Sequence, residues 1–201
     1  MIKYSNGKTY SPKEIKKNET KSVSSLKRHL SSANRGMDLE GDINASNEYY
    51  KEHDLCLITK RPTPINVVKV DYSKGAIITN AYFEKQSTTD YNGVYKGRYI
   101  DFEAKQTKSK TSFPLSNISK HQIEHLKHVL EHGGIAFFII EFVSKSEVFL
   151  LDAKYVIHFY ENGDRKSIPY EKFLEVAHKI KRGYAPRLDY LPIIEEIYIK
   201  S

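Results

Sequence analysis

The chain has 201 residues, of which 39% are hydrophobic and 28% charged, a composition typical of one globular domain with extensions; it excludes a large multidomain assembly. No apolar run approaches the roughly 20 residues that span a bilayer, so we expect a soluble protein. A single cysteine and an N-terminus without the apolar core of a secretory signal favour a cytoplasmic location. The net charge of +7 makes a polyanion such as nucleic acid a candidate partner.

The excess positive charge is confined to the N-terminal segment. Residues 1–35 hold nine Lys or Arg and two acidic residues, a net charge of +7 that equals the charge of the whole chain. The segment is rich in Lys, Ser and Asn and poor in apolar residues, which predicts that residues 1–33 form a mobile basic arm. We expect residues 34–201 to form the folded domain.

The predicted elements mix helices and strands. In chain order they are a helix over 34–51, strands over 55–60, 65–72, 76–85 and 98–106, a helix over 119–132, strands over 135–142, 148–151 and 155–160, and helices over 170–180 and 191–199. A loop is predicted over 86–97. The apolar run 135–142 is typical of a central strand that is buried on both faces. This order predicts a mixed α/β fold in which one helix crosses between two parallel strands.

Charged residues alternate with apolar residues along part of the strand predicted over 98–106. Because side chains alternate between the faces of a strand, Asp101, Glu103 and Lys105 share one face. Asp90 lies in the preceding loop, from which it can reach Glu103. An aspartate with Glu-x-Lys is the arrangement needed for Mg²⁺-assisted phosphodiester hydrolysis, in which oxygen ligands hold the ion and the lysine offsets charge on the phosphate. The alternative is a solvated Glu103–Lys105 ion pair, since such triplets are common by chance.

The helix predicted over 119–132 has one polar residue inside its apolar arc. Gln122 lies in this arc, and an inward polar side chain needs a partner. It could bond to the sheet backbone, orient a metal-bound water or coordinate a cation. Four histidines form a separate stripe, which we interpret as solvated or facing nucleic acid because the glutamate placement of zinc proteases is absent. They are His121, His125, His128 and His132.

Basic and aromatic residues surround the predicted site. Tyr91 and Tyr95 are interleaved with basic residues, a pattern that suits a site for binding phosphates. The alternative is that these tyrosines pack at the rim of the core. The candidate DNA-binding residues are Arg35, Lys69, Lys74, Lys96, Arg98, Lys108 and Lys110.

Several phrases occur in a fixed order along the chain: NRGMDLE, KRPTPINVV, AYF followed by STTDYNGVYKGRYIDFEAK, TSFPL and HQIEHLK. The similarity extends from the opening YSNGKTY to the closing YAPRLDYL. Together these phrases resemble the RecU Holliday junction resolvases of Gram-positive bacteria. Each phrase alone is weak, but their order is highly specific.

The resemblance implies a fold related to type II restriction endonucleases, with a mixed sheet flanked by helices. It also implies a homodimer that makes paired nicks in four-way DNA junctions with Mg²⁺ or Mn²⁺. By matching positions, Lys105 would stabilise the transition state, and the metal ligands would be Thr88, Asp90, Glu103 and Gln122. A projecting hairpin, the stalk, would enter the junction centre; here it would span residues 65–81, with a short turn and only Lys69 and Lys74 as nearby bases.

Three functions stay open at this point. The leading one is a metal-dependent resolvase acting in DNA recombination and repair, with recombinase and branch-migration proteins as candidate partners. The second is a non-catalytic protein that binds junctions or modulates a recombinase, and whose acidic residues are structural. The third is a sequence-specific restriction enzyme of the same fold, which would cut linear duplex DNA.

Overall fold

The computed structural model describes residues 38–83, 88–163 and 165–200. The predicted basic arm and Arg35 lie outside the described residues. The helices are α1 (Asp38–Glu52), α2 (Lys120–Glu131), α3 (Ala153–Asn162), α4 (Tyr170–Val176) and α5 (Leu191–Ile194), the last of which continues as a π-helical turn over Glu195–Ile199. Short 3₁₀ turns cover Leu115–Asn117 and Val143–Lys145. Within the described ranges, no helix combines the length and the hydropathy needed to span a membrane.

Within the residues that the structure describes, the strands build one central sheet and three two-stranded sheets. They are β1 (Leu57–Lys60), β2 (Ile65–Asp71), β3 (Ile77–Phe83), β4 (Tyr91–Tyr95), β5 (Arg98–Thr107), β6 (Ser112–Pro114), β7 (Ile135–Phe142), β8 (Glu147–Asp152), β9 (Ser167–Pro169), β10 (His178–Lys179), β11 (Lys181–Arg182) and β12 (Leu188–Asp189). The central sheet has the order β1-β4-β5-β7-β8-β10. Strands β5 and β7 are parallel and the other pairs are antiparallel. The predicted mixed α/β class is confirmed, with α2 as the crossing helix.

Apolar layers cover both faces of the central sheet. Every residue of β7 is buried, which confirms the prediction of a central strand. One core cluster joins the sheet to α1 and α5, and a second joins it to α2 and α3. Phe102 of β5 stacks between Tyr91 of β4 at 4.8 Å and Phe137 of β7 at 4.7 Å, measured between ring centroids. This aromatic stack fixes β4, β5 and β7 against one another.

The predicted loop over 86–97 is wrong for residues 91–95, which form β4. The sequence Asn92-Gly93 is typical of a turn, but here Gly93 allows β4 to approach β1 closely. A Cβ atom at Gly93 would lie 2.0 Å from the Leu57 carbonyl oxygen on β1. The actual turn of the β4–β5 hairpin is Lys96-Gly97, where both residues have positive φ, as the favoured two-residue hairpin turns require.

Two predictions in the C-terminal third are also wrong. The run predicted as a strand over 155–160 lies in helix α3, whose buried residues Ala153, Val156 and Ile157 follow helical spacing. The Asp152 side chain caps this helix by accepting a hydrogen bond from the Lys154 amide at 2.8 Å. The helix predicted over 170–180 ends at Val176, after which β10 pairs with β8.

Strands β2 and β3 form a separate antiparallel hairpin, in the place predicted for the stalk. It spans Ile65–Phe83, two residues beyond the predicted end. Its large apolar side chains are exposed, with Tyr72 at 76% and Phe83 at 78%. A two-stranded hairpin alone is marginally stable, so these apolar side chains are suited to contact a partner.

Candidate active site

Three elements bring charged side chains together around Glu103. This residue lies on β5, on the face that packs against α2, and its side chain is buried. Its Oε2 accepts a hydrogen bond from the backbone amide of Asp90 at 3.0 Å. Its Oε1 lies 2.7 Å from Lys105 Nζ and accepts a bond from Gln122 Nε2 at 2.5 Å. Asp90 Oδ2 in turn accepts a bond from the Ala104 amide at 3.4 Å, so the two carboxylates are neighbours.

Four of the five predicted site residues therefore meet, although they are as much as 32 positions apart in the sequence. Antiparallel pairing of Tyr91 with Phe102 places Asp90 beside Glu103. Thr88 lies at the start of the same segment, partly buried and two residues before Asp90. The geometry agrees with the arrangement expected from the sequence, whereas the chemical roles of these residues stay predictions.

The surroundings of Glu103 disfavour its ionised form. Burial and the neighbouring Asp90 carboxylate raise the pKa of Glu103 to about 7, although Lys105 acts in the opposite direction. Two carboxylates against one ammonium leave the cluster with excess negative charge when all three groups are ionised. A bound cation would offset both the burial of Glu103 and its repulsion from Asp90.

The side-chain oxygens of the cluster are of the kind that Mg²⁺ prefers, so the residues fit a hard divalent cation. Asp90 and Glu103 would supply carboxylate oxygens, and Thr88 could add a hydroxyl or carbonyl oxygen. Among the residues that the structure describes, no group of three or more His, Cys, Asp or Glu side chains is arranged to hold a metal. A cation at this site would therefore need amide, hydroxyl or water oxygens to complete its shell.

The amide of Gln122 has a definite orientation. Its Oε1 accepts bonds from the Ser119 backbone amide at 3.0 Å and from Ser119 Oγ at 2.9 Å, while its Nε2 faces Glu103. Gln122 thus closes the first turn of α2 and orients the Glu103 carboxylate. Direct coordination of a cation by Oε1 would require the amide to turn and to give up the bond from the Ser119 amide.

A second polar group, which was not predicted from the sequence, lies beside this cluster. Asp101 is fully buried on the same face of β5. Its Oδ2 lies 2.6 Å from Arg61 Nη2, 2.7 Å from the Tyr99 hydroxyl and 2.9 Å from His125 Nε2. The Thr89 hydroxyl donates to its Oδ1. The alternation of Asp101 with Glu103, and the position of His125 one turn after Gln122, are the sequence signals that could have located this group.

The histidine stripe was interpreted as solvated or facing nucleic acid, and the structure shows that His125 also has a partner inside the protein. This ring is partly buried and contacts Asp101, because one turn of α2 separates it from Gln122 on the same side of the helix. His128 and His132 are exposed, as expected. His121 lies near the start of α2, with its Nε2 3.2 Å from Ser119 Oγ.

The candidate DNA-binding residues that the structure describes are all exposed, but two of them have protein partners. Lys96 Nζ lies 2.6 Å from Glu195 Oε1, and an Arg98 amino group donates to the Gly133 carbonyl at 3.0 Å. The other four are exposed, and their side chains form no ion pair with the described residues; they are Lys69, Lys74, Lys108 and Lys110.

The two tyrosines of β4 belong to the core rather than to a phosphate-gripping surface. Tyr91 is buried, and its hydroxyl donates to Asn44 Oδ1 at 3.0 Å. Tyr95 is buried as well, and its hydroxyl donates to Glu195 Oε2 at 2.5 Å. Of the two alternatives for these residues, packing at the rim of the core is correct.

Comparison with known proteins identifies the family. Residues 34–196 match the family described as RecU, Recombination protein U. The chain is 51% identical over 203 residues to Holliday junction resolvase RecU of Geobacillus sp. (strain WCH70), and the match covers 98% of both chains. This chain belongs to the RecU family. A second RecU protein, the Holliday junction resolvase RecU of Bacillus licheniformis, is 51% identical over 204 residues, again covering 98% of each chain.

The RecU resemblance found in the sequence phrases is thereby confirmed. Among solved structures, Hjc of Archaeoglobus fulgidus, a Holliday junction resolvase, is 12% identical with a TM-score of 0.39. That match covers 67% of this chain and 86% of Hjc.

Proposed function

We propose that this RecU family member is a Holliday junction resolvase, an endodeoxyribonuclease that cuts four-way DNA junctions with Mg²⁺ or Mn²⁺ during recombination and repair. Relatives that carry this name share about half of its residues over nearly their full length. The observation that carries the proposal is the buried Glu103 carboxylate, which meets Asp90, Lys105 and Gln122 on the α2 side of the sheet. Work on chromosomal DNA would place the protein in the cytoplasm.

Each side chain of the cluster has a role in the proposed reaction. Asp90 and Glu103 would hold the cation, which when bound polarises the phosphate and promotes attack by water. Gln122 and the Asp90 amide fix the Glu103 carboxylate in one orientation. Lys105 places an ammonium beside the carboxylates, where it can offset the negative charge that develops on the attacked phosphate.

Resolution of a junction needs two cuts, so we propose that the protein acts as a homodimer. A two-fold axis would present two identical sites to two strands of like polarity. One site alone would leave a nicked junction. Recombinase and branch-migration proteins are the partners that such a reaction would require nearby.

The β2–β3 hairpin is our candidate for the element that recognises the junction. Its exposed apolar side chains at the turn end, such as Tyr72 and Ile77, would stack on or pack against nucleobases that are unpaired at the junction centre. Lys69 and Lys74 are exposed near the turn and would contact phosphates. Duplex DNA offers no open centre, so this contact would favour four-way junctions.

The proposal predicts that the protein converts a closed circular plasmid carrying an extruded cruciform into linear DNA in Mg²⁺. Two cuts within the lifetime of one complex give linear product directly, whereas independent single cuts give nicked circles first. We expect cleavage to stop in EDTA and to resume when Mg²⁺ or Mn²⁺ is returned. The measurement is a time course of gel-resolved circular, nicked and linear forms, with the same plasmid lacking the cruciform as control.

Other outcomes of this assay would decide between the remaining functions. Tight binding of the cruciform without cleavage in either metal would favour a non-catalytic junction-binding protein. Cleavage of the control plasmid at defined sequences would favour a restriction enzyme. Nicked circles as the final product would contradict the paired action of two sites.

A second prediction concerns residues 1–33, which carry eight of the Lys and Arg residues. Their deletion is expected to weaken junction binding and to flatten its salt dependence, because each lost phosphate contact lowers the log-log slope by about 0.9. The measurement is the junction dissociation constant in EDTA from 50 to about 200 mM salt, the range over which such contacts are most visible.

The control for this deletion is a full-length chain in which those eight Lys and Arg residues are replaced by glutamine. If charge is responsible, the deletion and the glutamine variant have the same reduced slope. A slope equal to that of the parent in both variants would show that the arm does not contact DNA.

A further inference from the structure

The Asp101 carboxylate is a fully buried group beside the candidate active site. Its exposed fraction is 0%, and its four donors come from four separate parts of the chain. Arg61 follows β1, Thr89 precedes β4, Tyr99 lies on β5 and His125 lies on α2. A buried carboxylate with this many donors favours one arrangement of those parts, because each lost donor leaves the buried charge less well compensated.

The charge of Asp101 is compensated within this group. The Arg61 side chain is 17% exposed, and its Nη2 lies 2.6 Å from Asp101 Oδ2. The excess negative charge of the neighbouring cluster therefore belongs to Asp90 and Glu103. The two buried carboxylates on this strand face therefore differ in their partners. Asp101 forms an ion pair with Arg61, whereas Glu103 belongs to the candidate metal site.

Arg61 also contacts the segment that carries Asp90. Its backbone amide donates to the Asp90 carbonyl at 2.7 Å. Its Nη1 lies 3.3 Å from the Thr89 hydroxyl, which itself donates to Asp101. On the other side, the Asp90 amide donates to Glu103 at 3.0 Å. The Asp90 residue is thus held between Arg61 and Glu103 by its own backbone.

We propose that Arg61 and Asp101 are positioning residues that fix Asp90 relative to Glu103 and so set the geometry in which the site takes its cation. This inference rests on the proposed function, since it assumes that Asp90 and Glu103 bind the metal. Mg²⁺ demands near-ideal octahedral geometry with ligands at about 2.0–2.1 Å, so a small shift of one carboxylate weakens binding. Neither Arg61 nor Asp101 touches the phosphate or the cation in this role.

The test replaces Arg61 by lysine and Asp101 by asparagine. Arg61→Lys keeps the positive charge, but one ammonium cannot reach Asp101, Thr89 and Tyr99 as the guanidinium fork does. Asp101→Asn keeps the shape and removes the charge. In both variants we expect Mn²⁺ binding, followed by electron paramagnetic resonance, to weaken about 10- to 100-fold, as for other residues that orient metal ligands.

A second readout needs no metal. Hydrogen exchange at the Asp90 amide, measured in EDTA, is expected to be faster in both variants than in the parent, because the segment is held less firmly. Junction binding in EDTA is expected to match that of the parent, since Arg61 makes its contacts within the protein.

The matched control is Arg182→Lys, which alters another partly exposed arginine that pairs with buried carboxylates, in this case two of them. Arg182 is 35% exposed, its Nη2 lies 2.6 Å from Glu141 Oε1, and its Nη1 bonds to Asp42. We expect it to lower the thermal midpoint while leaving Mn²⁺ affinity and Asp90 exchange unchanged. Equal losses of Mn²⁺ affinity in Arg182→Lys and Arg61→Lys would overturn the proposal, because general destabilisation would then explain both.

Parent-like Mn²⁺ affinity and parent-like exchange in Arg61→Lys would also overturn it. If Glu103→Gln binds Mn²⁺ as the parent does, the ion lies elsewhere and the proposed metal site fails instead. In that case faster hydrogen exchange at the Asp90 amide in Arg61→Lys would still show that Arg61 positions this segment. Unchanged exchange would overturn the positioning role of Arg61 too.

Discussion

Replacing Glu103 by glutamine is expected to abolish junction cleavage while leaving junction binding intact. The substitution keeps the size of the side chain but removes one of the two carboxylates that would hold the cation. A bound cation supplies several kcal/mol of transition-state stabilisation, and each 1.36 kcal/mol corresponds to a factor of ten, so the loss should be about 10³-fold or more. Mn²⁺ affinity should fall with it.

The variant should remain folded. Glu103 is buried and repelled by Asp90, so a neutral side chain at this position relieves an unfavourable charge. Against this, one hydrogen bond fails, because an amide cannot accept from Lys105, Gln122 and the Asp90 amide at once. We therefore expect a thermal midpoint in EDTA close to that of the parent, in contrast to the cleavage rate.

The measurement is single-turnover cleavage of a synthetic four-way junction, with binding of the same junction in EDTA. The control is Glu147→Gln, which alters another glutamate with a lysine partner: Glu147 Oε1 lies 2.5 Å from Lys179 Nζ, on β8 and β10. This control should cut as the parent does. Parent-like cleavage by Glu103→Gln would show that the cluster on β5 is structural.

The residues of the candidate site could be predicted to lie together because their main sequence signals are local. Asp101, Glu103 and Lys105 alternate on one strand, and the alternation alone assigns them to a common face. Gln122 was identified as inward by its place in the apolar arc of a helix, which the structure confirms. Its choice among partners could not be made, because that depends on where α2 crosses β5.

The Asp101 group was missed for the same reason. Arg61 lies 40 positions before Asp101 and His125 lies 24 after it, and these contacts exist only after β1, β5 and α2 are packed together. Nothing local distinguishes Arg61 from the other basic residues. The partner of His125 was not predicted because spacing shows which residues share a side of a helix but does not fix how far the buried side extends.

The wrongly predicted elements lie where local propensity and tertiary packing favour different structures. In α3, aromatic and β-branched residues favour a strand, and burial of Val156 and Ile157 against the sheet overrides that preference. At Gly93, a residue typical of turns is required by the close approach of β1. In both cases tertiary packing decided against intrinsic propensity.

Lys105→Met is expected to slow cleavage about 10²- to 10³-fold, the loss typical of removing one group that stabilises developing charge. Methionine keeps most of the length and apolar body of the lysine side chain, so the packing on β5 is retained. The ammonium that lies 2.7 Å from Glu103 is lost. The rate is measured at saturating Mg²⁺, so that a change in metal affinity does not enter the comparison.

Metal affinity separates this variant from Glu103→Gln. Without Lys105, the charge of Asp90 and Glu103 is no longer offset, so the cluster should attract a divalent cation at least as strongly as in the parent. Slow cleavage with equal or tighter Mn²⁺ binding is therefore the expected result for Lys105→Met, whereas Glu103→Gln should lose both. Lys127→Met, which alters an exposed lysine of α2 lying 2.9 Å from Glu161, should change neither quantity. Weaker Mn²⁺ binding in Lys105→Met would mean that the lysine supports the carboxylates rather than the attacked phosphate.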